Sequence, residues 1–530
     1  MADSDCEEEY LPSDEDVQSS SETESDATSV RNDSGLVRHA SPQAAHACGD
    51  PVGYRGDRDL TNSEPIDFLS LFMDGEFWSL LINETNRYAH QFLEKEELKL
   101  NFRFHDWYDV TVPEMKAFMA LHLCMGLVDK SEIEDYWDGF WPTSTPGFGK
   151  VMSRNRFEVI LSFIHFVNND ERVERGLPGH DRLFKERPII DMIIPRFSAV
   201  YGPHKELSLD EMTIAFKGRS TLKLYNPKKP DKYGYKAFVL SEASSGYVLQ
   251  WSMYTAQNTQ DDENVGATHL IVRQLLAPYT GKGHEVYMDS YYTSPAIARE
   301  LADNDTGMCG TVNCNRRGMP RGLKPAHLPL RRGDDPVFMR SNKLLACAFH
   351  DTKRLTLLST IHGNSCTKKR ILCVDSYSTF MGGVDTADQR MKTYLFPHRS
   401  RKWYSCIFNA VISISVVNAH IINTRCNPGQ QKPLKVFIQN IITSLLEGYS
   451  KKEGNKGGRP SMQQGEMPQR LTEQHWLQNP DCVVCSDRTR PKGRRQTQFR
   501  CSQCGVGLCA VPCNERHHTL KHYKQCHLDL

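Results

Sequence analysis

Three aspartates have the residue type and setting of a divalent-metal site: Asp210 in LSLDEMTIAFKGR, Asp289 in EVYMDSYYTS and Asp385 in MGGVDTADQR. The first two each close a short apolar, β-prone run, and the third follows a Gly-Gly pair where a helix is expected to begin. Mg²⁺ and Mn²⁺ prefer carboxylate oxygens and keep several waters, so few protein ligands suffice. Two such ions can activate the attacking oxygen and stabilise the leaving oxygen of a phosphodiester. The pattern therefore favours a nuclease or a DNA-strand-transfer enzyme.

The elements that must position these carboxylates can be read from the periodicity. We expect Asp210 and Asp289 where two strands of one sheet end, so that both point into one cleft. Asp388 lies three residues after Asp385 and shares its helix face. The alternative is that each aspartate is a turn or capping residue, which is the usual role of an aspartate near a strand end. The spacing alone does not decide between these interpretations.

The pattern of apolar residues changes along the chain. Helical spacing predominates over residues 65–200, where Trp107, Trp137 and Trp141 are interpreted as packing residues. Strand-like alternation begins near residue 206 and is later interrupted by helices, which indicates an α/β core. Within this core we predict a hairpin of residues 235–240 and 247–254, helices at 267–277 and 294–302, and strands at 286–288 and 308–313. Residues 315–370 read as a β-rich insertion with strands at 337–339, 344–349 and 355–361, and helices return at 386–394 and 403–425.

The distribution of charged and apolar residues predicts the character of the two ends of the chain and the cellular compartment. Residues 1–35 carry twelve acids and one base, whereas residues 451–500 carry eleven Lys and Arg against five acids. This asymmetry predicts a disordered acidic tail and a basic segment suited to a polyanion. The most apolar stretch, Ile407–Ile422, contains polar residues and predicts a buried helix, so no membrane span is expected. Without an export signal, the 17 cysteines are expected to stay reduced.

The last fifty residues contain a zinc-binding pattern. Its eight candidate ligands are Cys482, Cys485, Cys501, Cys504, Cys509, Cys513, His518 and His522. Zinc takes four such ligands in a tetrahedron, so the set suits two structural Zn²⁺ ions. A cross-brace arrangement would pair the first Cys-x2-Cys with Cys509 and Cys513, and the second with the two histidines. His517 and Cys526 remain alternatives for the last positions.

Basic residues with interleaved tyrosines surround the first aspartate, and further basic groups follow the other two. Such density beside a carboxylate site suits a phosphate backbone, although a solvated surface is the simpler alternative. The predicted DNA contacts are Lys217, Arg219, Lys228, Lys229, Lys232, Arg316, Arg317, Arg399, Arg401, Lys402, Arg494 and Arg495.

The segments around the aspartates carry a resemblance. LSLDEMTIAFKGRS, YNPKKPDKYGYK, YMDSYYTS and MGGVDTADQ resemble the piggyBac family of DNA transposases, in family order, over about residues 65–425. GPHKELSLDE is similar to the vertebrate branch of that family, which includes the bat element. The resemblance implies an RNase H-like core in which Asp210, Asp289 and Asp385 bind Mg²⁺ or Mn²⁺ and Asp388 is a further catalytic carboxylate. It also matches Trp403, a further predicted DNA contact, to a family tryptophan near the active site, with core packing as the alternative.

The resemblance further implies cut-and-paste transposition. Family enzymes nick double-stranded DNA, form a hairpin on the transposon end and join that end at TTAA. A nuclear homodimer without a small-molecule substrate is expected. The zinc tail would recognise transposon ends, but histidines stand where the founding insect member has cysteines, so base preferences cannot be transferred. All four aspartates are present, which favours an active enzyme over a domesticated chromatin-binding descendant, the main alternative. A histone-reading or ubiquitin-ligase tail would leave the carboxylates unexplained.

These interpretations give a multi-domain α/β organisation. The predicted parts are a disordered acidic tail (1–60), a helical dimerisation and DNA-binding domain (61–205 and 395–450), an RNase H-like catalytic core (206–314 and 371–394), the insertion (315–370), a linker (451–480) and a cross-brace zinc domain (481–530).

Overall fold

The chain divides into two compact units, Met1–Lys451 and Lys452–Leu530. A computed structural model describes residues 51–95, 103–227, 229–255, 266–364, 366–367, 370–398, 400, 402–449, 480–489 and 494–520. Most of the predicted acidic tail and of the 451–480 linker lie outside these residues. Residues 51–60, which were assigned to the disordered tail, are structured: β1 (Gly53–Tyr54) pairs with β2 (Tyr201–Gly202), and Leu60 is buried.

The region between β1 and β2 is helical, as the apolar spacing predicted. Proline stands in the first turn of four of these helices, where its missing N–H costs nothing. Their apolar faces, including Phe68, Phe118 and Phe157, form a common core. Trp141 is 84% exposed, so its predicted packing role is wrong, because the loop after Trp137 carries it out of that core. The helices are α1 (Pro65–Leu69), α2 (Gly75–Lys95), α3 (Val112–Leu127), α4 (Pro146–Val151), α5 (Arg154–Phe163) and α6 (Arg187–Val200).

A nine-stranded mixed sheet forms the centre of the first unit. Its order is β4-β5-β3-β7-β8-β11-β10-β9, and β6 pairs with β5. β3 with β7 and β7 with β8 run parallel, and the other neighbours run antiparallel. The strands are β3 (Glu206–Ala215), β4 (Leu224–Tyr225), β5 (Tyr233–Glu242), β6 (Val248–Met253), β7 (Glu285–Met288), β8 (Gly307–Thr311), β9 (Val337–Ser341), β10 (Leu344–His350) and β11 (Arg354–Ser359).

The connections within the sheet follow the predicted pattern. β5 and β6 form the expected antiparallel hairpin. The helices α7 (Ala267–Leu276) and α8 (Pro295–Asp303) come before and after β7, which provides the crossovers that parallel strands require. Segment 315–370, interpreted as an inserted module, adds β9, β10 and β11 to the edge of this same sheet through the pairing of β11 with β8.

Helices after the sheet return the chain to the core. A short pair, β12 (Cys366–Thr367) and β13 (Arg370–Ile371), leads into α9 (Leu372–Phe380) and α10 (Gly383–Thr393). α11 (Trp403–Cys426) and α12 (Leu434–Leu446) follow. α11 is long and apolar enough to cross a membrane, but most of it is buried inside the protein, as predicted for a core helix.

The second unit is small and contains little regular structure among its described residues. One helix, α13 (Cys513–Thr519), and isolated bridges such as Cys482 with Gly507 organise it. Its few buried side chains include Cys482, Val484, Leu508 and Cys513. A core of this size cannot stabilise a fold by apolar burial alone, so cysteine chemistry is expected to contribute.

Candidate active site and cysteine clusters

Strand register brings the first two aspartates together. Leu209 of β3 pairs with Met288 of the parallel strand β7, so Asp210 and Asp289 come next on neighbouring strands. Asp289 follows the last residue of β7, as predicted. Asp210 does not end its strand, because β3 continues antiparallel to β5 as far as Ala215. The predicted strand end at Asp210 is therefore wrong, although the shared cleft does not depend on it.

A third carboxylate, Glu211, joins this pair. One oxygen from each of Asp210, Glu211 and Asp289 lies within 4.8 Å of the others. Glu211 was not among the predicted site residues, because neighbouring residues of a strand normally point to opposite faces. The signal that was available is the second acid in LSLDEMT. We call Asp210, Glu211 and Asp289 the carboxylate cluster.

The electrostatics of the carboxylate cluster favour a bound cation. Burial, together with the charges of Glu211, Asp289 and Asp385, raises the pKa of Asp210 to about 7. Burial and the charge of Glu211 also raise the pKa of Asp289, although backbone N–H groups of the following turn oppose the shift. Like charges held together out of water repel one another. A divalent cation would relieve this repulsion, so the donor set fits Mg²⁺ or Mn²⁺.

The other two aspartates lie on α10, as predicted. Asp385 occupies the first turn, where negative charge is favoured. It stands outside the carboxylate cluster but is near enough for its charge to raise the pKa of Asp210. Asp388 forms an ion pair with Lys392 at 2.9 Å. Burial raises the pKa of Asp388, and its buried Oδ1 has no hydrogen-bond partner among the described residues.

Close packing of glycine holds α10 against the sheet. A Cβ on Gly383 would lie 2.9 Å from both Ala243 Cα and Ser208 Cβ. Ser208 Oγ also donates a hydrogen bond to the Met381 carbonyl at 2.5 Å. The contact between α10 and β3 is therefore made at Gly383, two residues before Asp385. This contact fixes the position of Asp385 relative to β3.

The loop between β4 and β5 lies beside the carboxylate cluster and beside α10, which carries Asp385 and Asp388. Lys229 Nζ is 3.6 Å from a Glu211 oxygen, and Asp231 is 3.5 Å from Lys392 on α10. Tyr225 and Tyr233 flank this loop with exposed rings whose centroids are 4.8 Å apart. The basic loop that the sequence placed next to Asp210 is therefore attached to the site by ion pairs.

The remaining predicted DNA contacts differ in their surroundings. Lys217, Arg219, Lys232, Arg317, Arg494 and Arg495 are exposed. Arg316 instead donates to the Tyr291 and Thr293 carbonyls at 3.0 and 2.7 Å, and Lys402 donates to the Ser162 carbonyl. Trp403 begins α11, half-buried against the core. Lys228, Arg399 and Arg401 lie outside the described residues.

The cysteines of the second unit form two groups. Cys482, Cys485, Cys509 and Cys513 converge on one point, and Cys501, Cys504 and His518 on another. This is the grouping that the cross-brace prediction requires, and it selects His518 over His517 for the second group. His522 and Cys526 lie outside the described residues.

The geometry of both groups suits zinc. Sulfur atoms are 3.7 Å apart in the pairs Cys485–Cys509 and Cys501–Cys504. Tetrahedral zinc with Zn–S bonds of about 2.3 Å would separate its sulfurs by roughly 3.8 Å. Backbone N–H groups lower the pKa of Cys501 to about 7, which favours the thiolate. His518 Nδ1 lies 2.7 Å from the Asn514 carbonyl, which orients Nε2 towards the sulfurs.

Known proteins resemble this chain in sequence, and one solved structure resembles it in fold. A family profile described as Transposase IS4 matches residues 64–420. The chain is 25% identical over 481 residues to human (Homo sapiens) PiggyBac transposable element-derived protein 3, covering 86% of the chain and 76% of that relative. It is 25% identical over 466 residues to human PiggyBac transposable element-derived protein 2, covering 81% and 73%.

A solved structure of a piggyBac transposase resembles this chain in fold. The chain superposes on a chain of the piggyBac transposase synaptic complex with hairpin DNA, solved by cryo-electron microscopy, with a TM-score of 0.67. The match has 21% sequence identity and covers 88% of this chain and 100% of that one. Sequence and fold agree, and the chain belongs to the transposase IS4 family, in its piggyBac branch.

Proposed function

We propose that this protein is a cut-and-paste DNA transposase that cleaves and joins DNA with a divalent metal. The observation that carries the proposal is the placement of Asp210 and Asp289 on adjacent parallel strands, with Asp385 on a helix packed against the first of them. Three antiparallel strands (β6, β5, β3) followed by two parallel ones (β7, β8) support an RNase H-like core. Carboxylates held close together by two adjacent strands and a packed helix suit metal-dependent phosphodiester chemistry.

The metal would be Mg²⁺ or Mn²⁺, held by the carboxylate cluster and Asp385. When bound, it supplies Lewis-acid activation of the attacking and leaving oxygens. The protein contributes fixed orientation, because β3 and β7 hold Asp210 and Asp289 in register. Asp388, whose buried Oδ1 has no hydrogen-bond partner among the described residues, is a further proposed catalytic carboxylate.

The DNA would lie along the basic surface next to these carboxylates. Exposed Lys217, Arg219, Lys232 and Arg317 would neutralise phosphates, so binding should weaken as salt rises. Double-stranded transposon ends, TTAA targets and a hairpin intermediate are the proposed substrates and route, by analogy with the family. We place the protein in the nucleus as a homodimer.

The second unit would bind two structural Zn²⁺ ions and read the transposon ends. Cys482, Cys485, Cys509 and Cys513 would hold one ion, and Cys501, Cys504, His518 and His522 the other. Exposed Arg494 and Arg495 lie in the same unit and would contact DNA phosphates.

Excision of a TTAA-flanked donor by the purified protein tests the proposal. Asp289→Asn keeps the size of the side chain and should abolish excision while retaining binding to labelled transposon ends. Asp303→Asn is the matched control, because Asp303 ends α8 and pairs only with Lys343 among the described residues. Normal excision by Asp289→Asn would refute the assignment.

A second candidate is a domesticated protein that binds chromatin without excising DNA. The names of the two human relatives, PiggyBac transposable element-derived proteins 3 and 2, favour it. The two candidates separate in cells: a transposase removes a marked element between TTAA sites, whereas the domesticated protein occupies DNA without removing it.

A further inference from the structure

Tyr292 is a buried residue next to the carboxylate cluster. It follows Asp289 by three residues and has 0% of its surface exposed. Its hydroxyl makes no hydrogen bond within the part of the chain that the structure describes. Leaving a buried hydroxyl unpaired is costly, so we expect this hydroxyl to gain a partner in the working protein.

The packing of Tyr292 places it beside Glu211. The ring of Tyr292 meets that of Phe238 edge-on, with centroids 6.2 Å apart. Phe238 is the cross-strand partner of Glu211 in the β3–β5 ladder. Burial, and then the charges of Glu211, Asp210 and Asp289 in that order, raise the pKa of Tyr292 well above its ordinary value. A tyrosine hydroxyl is protonated at neutral pH, so it can donate a hydrogen bond to a carboxylate.

We propose that Tyr292 is a positioning residue of the metal site, whose hydroxyl donates a hydrogen bond to Glu211 when the carboxylate cluster holds its cation. The inference rests on the proposed function, since it requires a divalent metal at this cluster. Carboxylates that bind a metal with one oxygen are commonly oriented by a donor to the other oxygen, and losing that donor weakens metal binding. The hydroxyl of Tyr292, which has no partner among the described residues, is available for this role.

The experiment measures Mn²⁺ binding by calorimetry with the full-length, zinc-loaded chain and without DNA. Tyr292→Phe keeps the ring and removes only the hydroxyl. We expect at least tenfold weaker Mn²⁺ binding, at the lower end of the range of about 10–100-fold seen for such donors. Without added metal, the melting temperature of the variant should equal or exceed that of wild type, because no hydrogen bond among the described residues is lost.

A matched control separates positioning from general stability. Tyr247 is equally buried, but its hydroxyl donates to the Phe197 carbonyl at 2.9 Å. Tyr247→Phe should lower the melting temperature and leave Mn²⁺ affinity unchanged, the opposite of Tyr292→Phe. Both substitutions keep the aromatic ring that packs in the core, so both variants are expected to fold.

Two outcomes would contradict the inference in different ways. If Tyr292→Phe binds Mn²⁺ like wild type while Asp289→Asn does not, Tyr292 has no positioning role and the proposed metal site stands. If wild type and Asp289→Asn bind Mn²⁺ equally, the carboxylate cluster holds no cation and the proposed function fails with the inference.

Discussion

Gly383→Ala should displace α10 and with it Asp385, because the packing leaves no room for a Cβ. The added atom would lie 2.8 Å from Ser241 Oγ and 2.9 Å from both Ala243 Cα and Ser208 Cβ. Ordinary contact begins near 3.4 Å, so the helix must withdraw by about 0.5 Å. Such overpacking costs about 1–3 kcal/mol of stability. A shift of about 1 Å can slow catalysis about 100-fold, so we expect excision roughly 10–100-fold slower.

Single-turnover excision of a TTAA-flanked donor with Mg²⁺ measures this effect, and the melting temperature reports the stability cost. Gly382→Ala is the control: a Cβ at residue 382 meets nothing within 4 Å, and its φ of −84° suits alanine. That variant should match wild type in rate. Normal excision by Gly383→Ala, or an equal loss in Gly382→Ala, would refute the reasoning.

Three further predictions concern stability. Arg156 pairs with Glu114 at 2.7 Å with both side chains buried, so Arg156→Ala should cost about 3–5 kcal/mol in urea unfolding, and Glu114→Leu with Arg156→Met should recover most of it. Burial raises the pKa of Glu186 well above its ordinary value, so the folded state binds its proton more tightly and wild-type stability falls as pH rises above about 4.3. Glu186→Gln, which has no charge to bury, should therefore become more stable than wild type as pH rises from about 5 to about 8, and equal pH profiles would contradict this. Chelation of zinc should lower the free energy of unfolding of the second unit by on the order of 10 kcal/mol and so unfold it. Cys482→Ser should also unfold this unit, whereas Cys314→Ser, which lies in the first unit, should not.

Local features were predicted best. The Cys-x2-Cys spacing anticipated that Cys482 joins Cys485 and that Cys501 joins Cys504, because a tight turn already brings each pair together. The start of α10 beside Asp385 was likewise readable from Gly-Gly followed by a helical pattern. Glu211 and the orphan hydroxyl of Tyr292 were not, because their proximity depends on strand pairing and on the turn after β7.

The sequence by itself determined the order of the carboxylate motifs, the α/β alternation and the family, since each is carried by residue types at short range. Only the tertiary structure decided which charges share a site. The parallel register of β3 with β7 brings residues 79 positions apart into one cluster, and the absent side chain of Gly383 lets α10 approach it. It also showed that Arg316, predicted to face DNA, holds the loop after Asp289 through backbone carbonyls. Such contacts depend on how distant segments pack, which residue types and spacing do not specify.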